Sequence, residues 1–97
     1  MSTPERAAPP DAGWYRVEDP AAARMLSDPV TLEFFSPFLG RSASVTQAAR
    51  EVGCDLNTMY YRVRTFLSAG LLEVDRAQRR AGRPIKYYRS VSDRFLI

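Results

Sequence analysis

The sequence contains no histidine and only one cysteine, Cys54, among its 97 residues. A disulfide within the chain is therefore excluded, and a zinc site built from cysteine and histidine is nearly so, because the ligands are missing. Catalysis by a Ser-His-Asp or Cys-His set is excluded together with histidine. A single thiol is consistent with a reducing compartment, so the expected location is the cytoplasm.

Long apolar runs are also lacking. The longest candidate, residues 30–39, is interrupted by Glu33 and Pro37 and falls short of the ~18–20 residues that a membrane span needs. The first residues contain Glu5, Arg6 and several prolines without an apolar core, unlike a secretory signal. We therefore expect neither a membrane segment nor a signal peptide.

The length and composition predict one globular domain. The chain is 45% hydrophobic and 26% charged, which argues against wholesale disorder, and its length leaves room for a single core. Residues 1–13 are rich in proline and alanine and lack periodicity, so they predict a flexible N-terminal tail. Residues 14–97 are expected to form the domain.

Positive charge is concentrated in the second half of the chain. Residues 1–49 carry four arginines and six acids, a net charge of −2, whereas residues 50–97 carry ten basic and five acidic residues, a net charge of +5. All the basic residues but Lys86 are arginine, which is favoured where phosphates or base edges are held by a planar fork. Charge alone leaves two interpretations open, an anion-binding surface or a solvated basic surface.

Two helix starts are visible in the first half. Asp19-Pro20 and Asp28-Pro29 each place an N-cap before a proline at the first helical position. The aromatic patch at residues 14–17 is expected to pack on the domain or on a second subunit. The second helix should be kinked or shortened by Pro37 and should end at Gly40. Its apolar residues are expected on one face, and they are Leu32, Phe35, Phe38 and Leu39.

Residues 44–53 predict a short strand and a small helix. Ser44-Val45 is interpreted as an edge strand, and Thr46 as the N-cap of a helix over residues 47–52. Small residues on this helix allow another helix to cross it closely, and Gly53 permits a sharp turn. The inward positions are Ala48, Ala49 and Val52.

A longer helix over residues 56–69 is predicted next, capped by Asp55 or Asn57 and ended by Gly70. Its apolar positions follow the helical period. They are Met59, Val63, Phe66 and Leu67.

The final pattern is that of strands. The β-rich runs 71–75 and 85–91 are separated by a basic stretch that ends in Gly82-Arg83-Pro84, which predicts a hairpin with a long tip. Residues 92–93 start a last helix or lead into another strand. The order of elements is helix, helix, short strand, helix, turn, helix and basic hairpin. It predicts a mainly α fold with a small β-hairpin, the winged helix-turn-helix.

The outer face of helix 56–69 carries no acid. A face that is merely solvated usually mixes glutamate with basic residues, and residues at the N-terminal end of such a helix reach deepest into a DNA groove. We interpret the face as DNA-reading, while a solvated face or one covered by a protein partner remains an alternative. Its members are Asn57, Thr58, Tyr61, Arg64, Thr65 and Ser68, with Tyr60 beside them.

The hairpin tip is crowded with like charges, which suits an anionic partner. Gly82 and Pro84 would hold Arg83 extended, so that it can enter a narrow minor groove, although a plain turn is the alternative. Of Tyr87 and Tyr88, one should face the core. The basic residues are Arg76, Arg79, Arg80 and Arg83, followed by Lys86.

The strand acids Glu73 and Asp75 are expected to pair with Lys86 or Arg89 rather than act as paired acids.

Four segments resemble the winged helix-turn-helix of ArsR-like bacterial regulators. They are SVTQAAREVG (residues 44–53), NTMYYRVRTF (57–66), AGLL (69–72) and GRPIKYYR (82–89). Residues 26–38 resemble the first helix of that family, although Thr31 stands at the usual arginine and Pro37 is a further departure. The resemblance covers residues 20–91.

The resemblance implies a dimeric repressor of palindromic operators. Metal-sensing members of the family use cysteine and histidine ligands, which this chain lacks apart from Cys54, so we expect no metal and no cofactor. The family's last helix is missing or only begun at Asp93, which implies a chain that stops before it or a dimer built by residues 14–26. The DNA contacts carried over by position are Asn57, Thr58, Tyr60, Tyr61, Arg64, Arg79, Arg80 and Arg83.

The sequence leaves three functions to compare. The favoured one is a sequence-specific DNA-binding regulator, without catalysis, that binds duplex DNA as a homodimer, with helix 56–69 in the major groove and wing 76–86 on the minor groove or backbone. A winged-helix module that binds protein or RNA is the alternative, and it should expose apolar residues where this chain has arginine, tyrosine and asparagine. An enzyme would need a pocket of perturbed acids, which the spacing of the acids does not indicate.

Overall fold

The computed structural model describes residues 14–96, in which helices form a body from which a long hairpin extends. The predicted flexible tail, residues 1–13, lies outside the described residues. The elements in chain order are β1 (Tyr15–Arg16), α1 (Pro20–Ser27), α2 (Pro29–Phe35), a 3₁₀ turn (Ser36–Phe38), α3 (Val45–Val52), α4 (Leu56–Ser68), β2 (Leu72–Arg80), β3 (Arg83–Ser90) and β4 (Phe95–Leu96).

Both predicted aspartate caps are present. The carboxylate of Asp19 accepts from the backbone N–H of Ala22 at 3.3 Å, and that of Asp28 accepts from the N–H of Thr31 at 3.3 Å. The Thr31 hydroxyl also donates to Asp28 at 2.6 Å, and this bond is the main reason that the pKa of Asp28 is lowered. The two caps begin α1 and α2 at the predicted prolines.

The predicted shortening of the second helix is confirmed, but the set of residues predicted for its buried face is partly wrong. Pro37 lies in the 3₁₀ turn, where its missing N–H does no harm, and α2 ends at Phe35. Leu32 and Leu39 are 39% and 42% exposed, whereas Thr31 is buried with Phe35. Because the helix stops early, the buried face is set by the i, i+4 pair rather than by a stripe continuing to residue 39.

The predicted strand at residues 44–45 and the predicted N-cap Thr46 are both wrong: the bridging residue lies one position earlier and the N-cap two positions earlier. Ser44 is the N-cap of α3 and not a strand residue, because its hydroxyl accepts from the Gln47 N–H at 3.1 Å while the Gln47 side chain accepts from the Ser44 N–H at 2.9 Å. This reciprocal capping box satisfies two N–H groups at once. The bridging residue is Ala43, which pairs with Tyr88.

The predicted crossing of α3 and α4 is confirmed. Ala48 and Ala49 are buried, and Gly53 adopts φ +85° in the turn that follows. Asp55 rather than Asn57 caps α4. The apolar face of α4 buries Met59, Val63 and Phe66, as their spacing predicted.

The hairpin is longer and more regular than predicted. The basic stretch expected to form an extended tip continues both strands as far as a two-residue turn, Ala81-Gly82. Both turn residues have positive φ, 52° and 77°, as the turns that match the strand twist require. Glycine takes this conformation readily. Long-range pairing across the hairpin therefore outweighs the loop-like composition of the stretch.

The two ends of the described chain meet. Strand β1 pairs in parallel with β4, and the rings of Tyr15 and Phe95 stack at 5.7 Å. The aromatic patch therefore packs back on the domain, and residues 92–93 lead into a strand, one of the two outcomes left open. Within residues 14–96, no helix is long and apolar enough to cross a membrane.

Phe35 joins the helical core to the terminal strands. Its ring lies 5.0 Å from that of Phe66 and 5.8 Å from that of Phe95, edge-on to both, and it is fully buried. Edge-to-face aromatic pairs add to the energy of burial.

We predict that Phe35→Ala lowers the free energy of unfolding by about 3–5 kcal/mol, the usual cost of this truncation in a core. Urea unfolding followed by circular dichroism measures it, with the m-value as a check on two-state behaviour. The exposed neighbour substitution Leu32→Ala is the control and should change stability by less than about 0.5 kcal/mol. Equal effects of the two would contradict the assigned faces of α2.

Candidate nucleic-acid interface

A groove of about 830 Å³ lies between the helix pair α3–α4 and the hairpin. It is lined by the beginning of α3, by Leu56 and Tyr60 of α4, and by the turn and strand β3. Four cationic side chains border it, Arg50, Arg80, Arg83 and Lys86, and no lining residue is acidic. The groove thus holds four of the ten basic residues of the second half.

These four cations are not neutralised by the described part of the protein. The ion pairs found within residues 14–96 lie elsewhere, between Arg41 and Glu51 and, at 3.8 Å, between Arg76 and Asp75. Like charges that line a concave surface reinforce one another's potential and attract anions. The groove is therefore suited to a polyanion.

At the hairpin turn, Arg79 has a different environment from its neighbours. Its guanidinium donates to the carbonyl of Gly82 at 3.2 Å and so bonds to the turn instead of lining the groove. Arg80 and Arg83 stand directly opposite each other in the strand register, an arrangement that is destabilising for like charges. A bound phosphate between them would relieve this repulsion.

The two tyrosines of β3 separate as expected, one toward the core and one away. Tyr88 packs edge-on against Phe38, with ring centroids 6.4 Å apart, while Tyr87 carries the guanidinium of Arg76 over its ring at 4.2 Å. Burial, and to a lesser degree the nearby Tyr60, raise the pKa of Tyr88. Tyr60 is 45% exposed and lies on the groove side of α4.

The remaining predicted residues of α4 are exposed but do not all face the groove. Asn57 and Thr58 occupy the exposed first turn. Tyr61, 62% exposed, and Arg64 border a second depression, of about 530 Å³, shared with α1. The structure thus brings Tyr60, Arg80, Arg83 and Lys86 together in the groove, whereas Tyr61 and Arg64 lie along the outer side of α4.

Sequence reasoning missed the contribution of α3. Thr46, Gln47 and Arg50 line the groove, and all three are exposed. The available signal was their helical spacing, because Thr46 and Arg50 are four residues apart on the face opposite Ala48 and Ala49. The basic character of Arg50 alone did not distinguish it from other surface arginines.

The two strand acids do not make the predicted cross-strand pairs with Lys86 or Arg89. Asp75 accepts a hydrogen bond from the hydroxyl of Ser42 and pairs with its neighbour Arg76. A register shift between Val74 and Arg76 leaves Asp75 without a partner on β3, whereas Glu73 stands opposite Arg89 in the register but forms no ion pair with it. Among residues 14–96, no group of three His, Cys, Asp or Glu side chains could hold a metal ion.

The chain was compared with known proteins. A family model described as a helix-turn-helix domain matches residues 26–75. A solution NMR structure of Mb0332 from Mycobacterium bovis, the homodimeric winged helix-turn-helix DNA-binding domain of a possible ArsR-family transcriptional regulator, is similar with a TM-score of 0.56 and 22% identity. The match covers 73% of this chain and 61% of that one, so less than two thirds of that structure is represented.

A second solved structure has the same fold. The crystal structure of NolR from Sinorhizobium fredii matches with a TM-score of 0.57 and 19% identity, over 74% of this chain and 67% of that chain. No curated protein matches the sequence.

The closely crossed helices α3 and α4, followed by the long hairpin, define a winged helix-turn-helix domain. By the family model, which matches more than half of its residues, the chain belongs to the helix-turn-helix domain family. The predicted fold class is thereby confirmed, and the resemblance to ArsR-like regulators agrees with the fold of the M. bovis domain.

The cap of α4 generates a prediction about pH. The backbone N–H of Thr58 donates to Asp55 at 2.7 Å and is the main cause of a pKa below the ordinary 3.8. As the pH falls, the unfolded chain takes up this proton first, so the stabilisation is complete above about pH 4 and disappears as the pH passes the folded-state pKa. Asp55→Asn keeps a capping oxygen without a charge and should reduce the acid dependence of stability.

Melting temperatures measured by circular dichroism between about pH 5 and about pH 2 check this expectation. The wild-type curve should fall more steeply than that of Asp55→Asn. Asp93→Asn, which removes a carboxylate that caps no helix, is the matched control and should follow the wild type. Parallel curves for Asp55→Asn and wild type would refute the role of the charged cap.

Proposed function

We propose that the chain is a sequence-specific, double-stranded DNA-binding transcription regulator that acts as a homodimer. The observation that carries the proposal is the groove between α3, α4 and the hairpin, which is bordered by four cations without an acid. The core of a protein-binding surface would be expected to be more apolar and depleted of charged residues in the same place. The fold family agrees with the proposal but does not by itself assign a function.

Helix α4 is suited to enter the major groove of DNA. Its first turn is exposed and carries Asn57 and Thr58, and an asparagine can donate and accept with the edge of adenine in a bidentate pair. Tyr61 and Arg64 continue the exposed surface along the helix. In helix-turn-helix proteins the N-terminal residues of the second helix contact base edges, which makes Asn57 and Thr58 our first candidates for base recognition.

The hairpin is long enough to reach the next minor groove. From Val74 to Arg80 the strand β2 extends by six residues, or about 20 Å at ~3.4 Å per residue. One turn of DNA measures about 34 Å, so the minor groove beside an occupied major groove lies about 17 Å away. Arg80 and Arg83 at the tip would there meet the negative potential that favours arginine.

Helix α3 supplies contacts to the DNA backbone. In this class of motif the first helix crosses the backbone while the second reads the bases. Thr46, Gln47 and Arg50 point to such a role because they border the same groove as Lys86. Contacts to phosphates fix the register on the duplex but carry no sequence information.

The homodimer and the repressor role rest on likeness. The M. bovis domain is homodimeric, and a two-fold dimer would read two half-sites of a palindrome. Repression follows from the resemblance to ArsR-like regulators, since a bound dimer would occlude a promoter. The proposed function involves no catalysis, and a chromosomal target implies that the protein works in the cytoplasm.

The proposed contacts of Arg80 and Arg83 with DNA should be visible in the salt dependence of DNA binding. Each phosphate contact contributes about 0.9 to the slope of log K against log salt. The double substitution Arg80→Ala/Arg83→Ala should therefore reduce the slope by about two per protomer, if both side chains contact phosphates. Fluorescence anisotropy with a labelled duplex, titrated at several salt concentrations, measures it.

Arg24→Ala/Arg94→Ala is the charge-matched control, because both arginines are exposed and neither lines the groove. It should leave the slope close to that of wild type. An equal loss of slope in Arg24→Ala/Arg94→Ala would mean that binding follows net charge only. The absence of binding to any duplex at low salt would refute the proposed function and favour the protein- or RNA-binding alternative.

The proposed recognition of a base by Asn57 can be tested separately from the phosphate contacts. Asn57→Ala should reduce discrimination at one base pair of each half-site, at a cost of about 1–3 kcal/mol in specific binding. A selection from random duplexes, run in parallel on both proteins, locates the affected position. Binding to unrelated DNA should be unchanged, because Asn57 carries no charge. If discrimination is retained at every position, Asn57 does not read a base.

A further inference from the structure

The root of the hairpin is held to the helical body by residues 40–43, which we call the wing anchor. The N–H of Gly40 donates to the hydroxyl of Ser90 at 3.2 Å. Ala43 and Tyr88 exchange backbone hydrogen bonds of 2.9 and 2.8 Å. Between them, the hydroxyl of Ser42 donates to the carboxylate of Asp75. Of these three contacts, the first two hold strand β3 and the third holds strand β2, whose first residue, Leu72, is also buried in the core.

Asp75 occupies a bulge in β2. Val74 pairs with Tyr88 and Arg76 pairs with Tyr87, so Asp75 is the extra residue. Cross-strand partners share a face of a hairpin, and adjacent residues of β3 such as Tyr87 and Tyr88 lie on opposite faces. Their partners Val74 and Arg76 therefore lie on opposite faces as well. Strict alternation would have kept Arg76 and Arg80 on the face of Val74. A bulge also bends its strand and increases the local twist.

The carboxylate of Asp75 connects the two sides of this bend. On the body side it accepts from Ser42, and on the wing side it lies 3.8 Å from the guanidinium of Arg76. Arg76 in turn stacks over the ring of Tyr87 at 4.2 Å. One side chain at the bulge therefore links the anchor to both strands of the hairpin.

The geometry beyond the bulge amplifies small changes. The hairpin extends about 20 Å from Val74 to the tip at ~3.4 Å per residue. A rotation of about 10° at the bulge would displace the tip by about 3.5 Å, and successive base pairs are about 3.4 Å apart along the axis. The angle at Asp75 is therefore sufficient to change which base pair the tip arginines meet.

We propose that Ser42 and Asp75 are positioning residues that fix the angle of the wing, and thereby the spacing between the bases read by α4 and the DNA contacted by Arg80 and Arg83. The proposal rests on the proposed function for its DNA consequences. Ser42 is only half-buried and Asp75 is exposed, and contacts of exposed charged side chains contribute little to global stability. The contact therefore acts on orientation more than on folding.

The first experiment measures wing orientation in the full chain without DNA. Residual dipolar couplings of the amides of residues 76–87 should fit the same alignment tensor as the helices in wild type. In Ser42→Ala and in Asp75→Ala the wing couplings should shrink or require a different orientation. Asp75→Asn and Ser42→Thr, which retain an acceptor and a hydroxyl, should restore the wild-type fit. Unchanged wing couplings in both alanine variants would overturn the proposal, whether or not the protein binds DNA.

The second experiment is a random-duplex selection with the same proteins. In Asp75→Ala and Ser42→Ala, preference at the flanking positions should fall about five- to tenfold, within the range that one position of a DNA site carries, while central preference persists. Glu73→Ala removes the same charge from the same strand without touching the anchor and should keep both preferences. A parallel loss of central and flanking preference would indicate a merely structural role and overturn the proposal. Failure of the wild type to select DNA refutes the proposed function alone, because the dipolar couplings still decide the role of the anchor.

Discussion

The close crossing of α3 and α4 is the constraint on which the rest of the structure depends. Ala48 and Ala49 are buried, and their side chains end at Cβ, so they allow a close approach of α4. Gly53 takes a left-handed conformation that lets the chain reverse within a few residues. Larger side chains on α3 would separate the helices and widen the groove that Arg50 and Tyr60 border. The hairpin packs against the segment that precedes α3 through Tyr88, which contacts Phe38 of the 3₁₀ turn and pairs with Ala43.

The acids of the body explain why the cations of the groove form no ion pair within residues 14–96. Asp19, Asp28 and Asp55 each cap a helix, where a carboxylate accepts backbone N–H groups and complements the helix dipole. Glu51 is paired with Arg41. Acidic residues are thus present in the domain, but each of these is directed to a local structural contact. The four cations of the groove consequently keep their charge, because no acid lines the groove beside them.

How far the sequence predicts the structure depends on whether a feature is local. Caps, helix ends and the apolar face of α4 follow from short-range rules, and Asp19, Gly53 and Met59 lie where those rules place them. The regular hairpin does not, because its basic composition is typical of a loop and only pairing with β3 extends it. Arg50 was missed for the same reason, since its place in the groove depends on how α3 packs against distant residues. The wing anchor needs both the bulge at Asp75 and the approach of Ser42, which no local pattern encodes.

The pairing of β1 with β4 has a consequence for folding kinetics. Tyr15 and Phe95 are joined across almost the whole described chain, so their contact closes the longest loop in it and carries the largest entropic cost of closure. Contacts of such sequence separation form late, after the helices have gathered. The same two strands are short, and short peripheral pairs open before the core does. Reversible opening at this seam would uncover one edge of Phe35 while leaving α3, α4 and the groove folded.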